Sequence, residues 1–333
     1  MSIPGAQRAL IAAAGGGDEG AFAALVEPHR AELHRHCYRM LGSVHDADDA
    51  VQESLLRAWQ AVGRFDGRGP VRPWLYRIAT NRCLTMIEAR RRRELPTDLS
   101  PDTVATEQTA WLEPYPGALL ELDSLSPEAR TVEREGIELA FVAALQQLSA
   151  LQRAVLVLRA VLDFPASEVA ELLETTVPAV NSALQRARAV VDRRAPARSQ
   201  QRELARLGGD VRTIAERYTR AWESADVEGI VAMLADDVRL AMPPMPRCYE
   251  GPAAVAAALS SGPITHRWRL LPTTANGQLA FGGYRWHDAS GVFVAEGLDV
   301  LTLRDGRITA ITAFLLDDLD AYGLPRTISA GPR

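Results

Sequence analysis

Two all-α modules followed by an α+β domain is the fold class this sequence predicts, and three observations predict it. Apolar residues recur at helical spacing from about 18 to 93, and again from Ile137 to about Arg206. Between these blocks, Pro96, Pro101, Pro114, Pro116 and Pro127 stand among acidic, Ser and Thr residues, a composition that cannot sustain a long helix. Beyond Gly208 and Gly209 come one amphipathic helix, a short helix near 252–259, and strand-like runs around 267–271, 279–286, 292–303 and 307–315. The expected domains are therefore a helical module over 1–93, a linker over 94–136, a second helical module over 137–206 and an α+β domain over 209–325.

Length and composition agree with this division. A chain of 333 residues can build two or three separate cores. Its 47% hydrophobic and 24% charged residues are those of an ordinary soluble protein, and no apolar run approaches the roughly 20 residues that cross a bilayer. No membrane partner is expected. The N-terminus has a short Ala-rich stretch, but Asp18 and Glu19 follow at once, so no signal peptide is read and a cytoplasmic location is expected. Cys37, Cys83 and Cys248 are too far apart for a CxxC motif, so a disulfide framework, a metal and a cofactor are all unexpected.

The net charge of −5 hides a strong segregation along the chain. Residues 77–93 hold six arginines against Glu88, residues 94–138 hold eleven acidic residues against Arg130 and Arg134, and residues 186–206 hold seven arginines against Asp192 and Glu203. Two DNA-facing modules joined by an acidic tether would carry this pattern.

In the first module, DADDAVQESLLRAW (46–59) follows Gly42 and Ser43. Acidic residues there complement a helix N-terminus by roughly 0.3–1 kcal/mol each. Asp49, Gln52, Glu53, Leu56 and Trp59 also share one broad helical face, an apolar strip bordered by acid that suits a basic partner helix. PVRPWLYRIATNRCL (70–84) follows and leads into Arg90, Arg91, Arg92 and Arg93. Phe65, Trp74 and Tyr76 are aromatics beside this basic run; each fits either a core or a base-stacking role, the latter worth about 1–3 kcal/mol per base. Asn81 offers an amide able to read a base edge, and the arginines suit phosphate.

The second module contains a helix-turn-helix pattern. QRAVLVLRAVL (152–162) is its supporting helix, SEVAELL (167–173) its first helix and TVPAVNSALQRARAVV (176–191) its recognition helix. Thr176 is a helix cap and Pro178 falls in the first turn, where its missing N–H breaks nothing. Val180 and Leu184 point inward, leaving Ala179, Asn181, Ser182 and Gln185 toward base edges and Arg186 and Arg188 near phosphate.

On these motifs the chain resembles the extracytoplasmic-function sigma factors of bacterial RNA polymerase over roughly residues 18–195. The resemblance implies that DADDAVQESLLRAW docks on the coiled coil of the polymerase β′ subunit through Asp49, Gln52, Glu53, Leu56 and Trp59. It implies that Trp74, Arg77, Asn81, Arg82, Arg90 and Arg91 engage the −10 element. Thr176, Ala179, Asn181, Ser182, Gln185, Arg186 and Arg188 would read the −35 element, with this module also touching the β flap. Thr85 stands where family members often carry an acidic residue, which alters the fine −10 preference. The resemblance also admits an anti-sigma factor as a partner, and it makes the acidic linker a connector through polymerase channels, with WLEPYP (111–116) as a docking spot.

The tail from DVRTIAERYTRAWESADVEGIVAMLADDV onward, with its terminal GLP (323–325), resembles the SnoaL-like domains of the nuclear-transport-factor-2 superfamily. That resemblance implies a cone-shaped curved sheet around helices, with an apolar pocket in which Trp222, Met242, Tyr249, Trp268, Tyr284 and Trp286 would hold a small-molecule ligand, joined by Met245, Phe281 and Phe314. Of the acid–base candidates, Asp236 and Asp237 sit in a helix-to-strand turn, LADDV, where carboxylates commonly shape the turn, and His266 and His287 have no clear orienting partner in sequence, so regulation rather than catalysis is expected. Two other classes stay open at this point. A ligand-controlled repressor would also join a helix-turn-helix to a pocket, but has no need of residues 46–93. A SnoaL-like isomerase or cyclase with a DNA-binding appendage would need an acid–base pair.

Overall fold

The computed structural model describes residues 5–65, 69–93, 112–120, 122, 125–194, 199–243, 245 and 248–329. These fall into two compact units, one of residues 1–104 and 140–195, the other of residues 105–139 and 196–333.

The first unit opens with α1 (Gly5–Gly15), α2 (Glu19–Leu41), α3 (Val44–Ala61) and α4 (Val71–Arg93). Asp18 starts α2 by accepting the Ala21 N–H at 2.9 Å, and Gly42 ends it at φ 76°, a conformation costly for any side chain. Ser43 at once caps α3 by accepting the Asp46 N–H at 3.0 Å. This tight turn folds α3 back on α2, and Leu33, Cys37, Met40, Leu75 and Cys83 close the core between the helices.

In sequence α5 (Pro127–Glu135) comes next, but it belongs to the second unit. The first unit resumes with α6 (Leu139–Gln146), α7 (Ala150–Leu156), a π turn over Val157–Val161, α8 (Ala166–Leu172) and α9 (Val177–Arg194). Val169, Leu172, Val180, Leu184 and Ala187 are buried, which packs α8 against α9. The buried Arg153 of α7 donates to the carbonyl of Met40 and to that of Gln146 at 3.1 Å, joining the two halves of the unit; burial lowers its pKa to about 10.

The second unit contains α10 (Gln200–Leu207), α11 (Asp210–Glu223), α12 (Val227–Val231), β1 (Leu234–Ala241), β2 (Cys248–Glu250), α13 (Pro252–Ser260), β3 (Trp268–Ala275), β4 (Gln278–His287), β5 (Val292–Arg304), β6 (Arg307–Phe314) and β7 (Thr327–Ser329). The sheet runs β2-β1-β6-β5-β4-β3, with β7 added on β5; only the β1–β6 pair is parallel. Asn276-Gly277 and Asp305-Gly306, all at positive φ, make the two-residue turns of the β3–β4 and β5–β6 hairpins. One face packs Tyr218, Trp222, Leu270, Phe281, Leu301 and Ile311 with α11, α12 and α13. The other packs Tyr284, Phe293, Leu298, Phe314, Leu319 and Leu324. Leu324 of the GLP motif lies over Gly282, where a Cβ would come within 2.5 Å of it.

Four expectations change. LADDV is not a turn but the start of β1, where Asp236 and Asp237 are both exposed across a bulge between Leu234 and Arg239, and the alternation of a strand resumes with Val238 buried, Arg239 exposed and Leu240 buried. The linker is not one free tether, and α10 leaves the second helical module, because the described residues 112–120, 122, 125–139 and 199 onward belong to the same compact unit as the tail. Gln200 explains the latter: its side chain donates to the Leu303 carbonyl at 2.9 Å and accepts the Leu303 N–H at 2.7 Å. Finally, the expected pocket residues do not share one face. Trp222, Trp268 and Tyr249 adjoin the inner core, but Tyr284 and Trp286, an odd number of residues along β4 from the inward Phe281, pack on the outer face, as does Phe314.

Candidate nucleic-acid and polymerase interface

The acidic face of α3 is built by what the core does not take. Ala47, Ala50, Val51, Ser54 and Ala58 turn inward, which leaves Asp49, Gln52 and Leu56 outward, Leu56 with 53% of its surface exposed. Glu53 is half-buried and pairs with Arg57 at 2.9 Å. Trp59 belongs partly to the core, its ring meeting Phe22 edge-on at 5.2 Å. The exposed Leu56 thus stands on an outward face that it shares with the carboxylate of Asp49 and the amide of Gln52.

On α4 the same partition separates the aromatics. Tyr76 is fully buried, donates to Glu32 at 3.3 Å and lies under the Arg72 guanidinium at 5.0 Å, so it stacks on protein and not on a base. Trp74 is half-buried against Phe65, 4.9 Å between ring centres. With Arg57, Ala61, Arg77, Ile78 and Asn81 it lines a cleft of about 280 Å³. Asn81 and Arg77 are exposed at this cleft, an amide and a guanidinium beside an indole. Such a set can stack a base, read its edge and hold its phosphate. Arg57 and Ile78 were not expected here; they fall in line only once α3 lies beside α4.

Arg82 and Arg90 are half-buried, Arg90 3.5 Å from Asp46; the Arg91 side chain lies outside the described residues. Arg77 also has a partner in this conformation. Its guanidinium donates to Glu174 at 2.8 Å, and Glu174, at φ 52°, sits in the turn between α8 and α9. Nearby, Phe164 meets Tyr76 edge-on at 5.2 Å, with Arg72 4.9 Å from the Phe164 ring centre.

The recognition helix presents every residue expected of it. Thr176 caps α9 by accepting the Ala179 N–H at 3.3 Å, and Thr176, Ala179, Asn181, Ser182, Gln185, Arg186 and Arg188 are all exposed while Val180 and Leu184 are buried. The side chains form a polar strip ending in guanidinium groups, suited to a major groove and its flanking phosphates.

Within the second unit, the linker is held at two points by one hairpin turn. Asn276 accepts the Tyr115 N–H on Oδ1 at 2.8 Å, and its Nδ2 donates to the Ile137 carbonyl at 2.7 Å. Its own backbone N–H donates to the Tyr115 carbonyl at 2.8 Å. Gln278 accepts the Leu139 N–H at 2.9 Å, and the Tyr322 hydroxyl donates to the Pro114 carbonyl at 2.7 Å. Tyr115 and Asn276 are fully buried. Glu138 accepts the Gln201 N–H at 3.1 Å; burial, with Glu135 nearby, raises its pKa to about 7. Trp111 of the WLEPYP segment lies outside the described residues.

Comparison with known proteins accounts for all three parts. Residues 25–93 match Sigma-70 region 2, residues 138–190 match Sigma-70 region 4, and residues 215–311 match the SnoaL-like domain. The chain is 41% identical to the ECF RNA polymerase sigma factor SigG of Mycobacterium tuberculosis, over 93% of this chain and 85% of that protein. It is 30% identical to SigW of Bacillus subtilis, over 52% of this chain and 87% of that one. The crystal structure of the extracytoplasmic function sigma factor SigJ of Mycobacterium tuberculosis shares the fold, with a TM-score of 0.61 at 23% identity, covering 91% of this chain and 100% of that chain. Among the described residues no helix is long and apolar enough to cross a membrane.

Proposed function

Because the chain belongs to the extracytoplasmic-function sigma factors of bacterial RNA polymerase, we propose that its α3 face docks on core polymerase, its α4 cleft takes the −10 element and its α9 strip takes the −35 element. It is a transcription initiation factor and not an enzyme, and it works in the cytoplasm, where polymerase and promoters meet. The observation that carries the residue assignment is the cleft shared by Trp74, Arg77 and Asn81, which puts stacking, phosphate contact and amide readout within one base-sized space. Glu174 occupies Arg77 in this conformation, so promoter engagement exchanges that carboxylate for phosphate. The pair is exposed and worth about 1 kcal/mol at most, which polyanionic DNA readily displaces.

The SnoaL-like tail regulates initiation by holding the linker. Asn276 supports this reading, since one side chain binds both Tyr115 and Ile137 and thereby closes the linker on the tail. An anti-sigma factor would compete for the same exposed α3 and α4 faces.

In vitro runoff transcription with core polymerase tests both parts. The Asn81→Ala, Gln185→Ala double variant should lose promoter-specific transcripts while still binding core; unchanged transcripts would refute the reader sites. Asn276→Ala, which removes two buried hydrogen bonds at about 1–3 kcal/mol each, should alter transcript yield with the fold retained. A yield equal to that of the wild type would refute the regulatory role. Tight binding of duplex DNA without any association with core would instead mark a repressor.

A further inference from the structure

The recognition helix begins with a feature that neither base-edge hydrogen bonding nor phosphate contact uses. Its first three residues, Val177, Pro178 and Ala179, are apolar, and all three are exposed. The later apolar residues Val180, Ala183, Leu184, Ala187 and Val191 turn inward and are buried. Among the described residues of the first unit, Leu56, Leu151 and Val177 are the large apolar side chains that stay exposed, Val177 with 39% of its surface open.

This first turn is also poor in free donors. Thr176 takes up the Ala179 N–H on Oγ1 at 3.3 Å, and Pro178 has no N–H to give. Of the three residues, Val177 alone keeps a backbone N–H that neither capping nor ring closure removes, so the end is poorly equipped for phosphate. Asn181 follows Val177 by four residues and Arg188 by eleven, which places these three on one stripe of the helix. Ala179 falls on the other edge, with Ser182 and Arg186. The N-terminal residues of a recognition helix are those that approach base edges. The major groove displays one apolar group, the C5 methyl of thymine, which offers nothing to an amide or a hydroxyl.

We propose that Val177 reads the methyl group of a thymine in the −35 element. The proposal rests on the reading of α9 as the −35 module, and it adds an apolar determinant to a strip otherwise made of amide, hydroxyl and guanidinium groups. Four residues rise about 6 Å along the helix and successive base pairs about 3.4 Å, so that thymine is a near neighbour of the base that Asn181 meets.

Binding of the holoenzyme, core polymerase with the full chain, to an active promoter tests this contact. Each thymine of the −35 element, on either strand, is replaced in turn by deoxyuridine, which removes the methyl group and nothing else. In the wild type one such replacement should weaken binding about fourfold, the worth of one buried methyl group. Val177→Ala should bind the unaltered promoter about fourfold more weakly and be indifferent to that replacement, with melting temperature and affinity for core unchanged. Should that variant not fold, Val177→Thr, which keeps the branched shape and exchanges one methyl for a hydroxyl, replaces it and should narrow the penalty about twofold. No sensitive thymine in the wild type, or a penalty that survives both substitutions, overturns the proposal. Asn181→Ala separates it from the reading on which it rests. If that variant weakens promoter binding while no deoxyuridine matters, α9 keeps the −35 element and the methyl contact alone falls. If it too leaves binding unchanged, both fall.

Discussion

Glu138 and Asp299 are both carboxyl groups kept from water, and their contribution to stability runs opposite in pH to that of Glu203, whose hydrogen bond from Arg206 holds its pKa below the ordinary value. Their pKa values rise to about 7 and about 6, so each is protonated more readily in the folded unit than in the unfolded chain. The stability they allow is fully present below the unfolded values, near pH 4, and is lost as pH rises through 6 and 7. Urea unfolding followed by tryptophan fluorescence should therefore show these two groups withdrawing several kcal/mol of stability from the second unit between about pH 4.5 and 7.5, since each shift of about two units corresponds to roughly 3 kcal/mol. Asp299→Asn should flatten the lower part of that fall; an unchanged slope would mean that Asp299 titrates normally. Glu138 faces Glu135, which in turn pairs with Arg202 at 3.1 Å, so the upper part belongs to the linker contact.

At the level of single elements, α3 makes the sharpest prediction. Leu56 is more exposed than buried, so Leu56→Asp should change folding stability by no more than about 0.5 kcal/mol. It should nevertheless weaken binding to core polymerase at least tenfold in a pull-down or fluorescence-anisotropy titration; equal affinity would move the docking face elsewhere. The helical spacing of Asp49, Gln52 and Leu56 made their shared outward face legible in the sequence, whereas the packing of Trp59 on Phe22 was not, because Phe22 belongs to another helix. The recognition helix was legible from its spacing too, through Val180 and Leu184. β1 was not, because Asp236 and Asp237 stand side by side and break the alternation expected of a strand. Asp299 was hidden in the opposite way. In GLDVLTL it occupies the inward phase of the strand, where an acidic residue reads as an outward one until Leu301 and Leu303 fix the phase. The turn at Asn276-Gly277 carried a recognisable hairpin signature, but the second task of Asn276 depends on Tyr115 and Ile137, more than a hundred residues away, and local sequence holds no trace of it.

Within the first unit, the molecule as a whole sets one proposed reader against the other. Arg77 of α4 is held by Glu174 of the helix-turn-helix, and Phe164 rests on Tyr76. Glu174→Ala should increase runoff transcription by no more than about fivefold, the factor equivalent to the 1 kcal/mol ceiling of an exposed ion pair. A larger effect would mean that Glu174 does more than screen Arg77. The grip of Asn276 on Tyr115 and Ile137 has a further result that concerns length. Both ends of the segment 115–137 meet at one side chain, so its 23 residues span no distance while the grip holds. The path from Arg93 to α6 is then about 21 residues, at most roughly 70 Å when extended, and release lengthens it to about 45 residues, or roughly 150 Å. Doubling a flexible tether lowers the effective concentration of its far end by about threefold, and widens the separations it can bridge. On the regulatory role proposed above, the tail would work as a reel on the connection between α4 and α6, exchanging reach for local concentration as it takes up or pays out that length of chain.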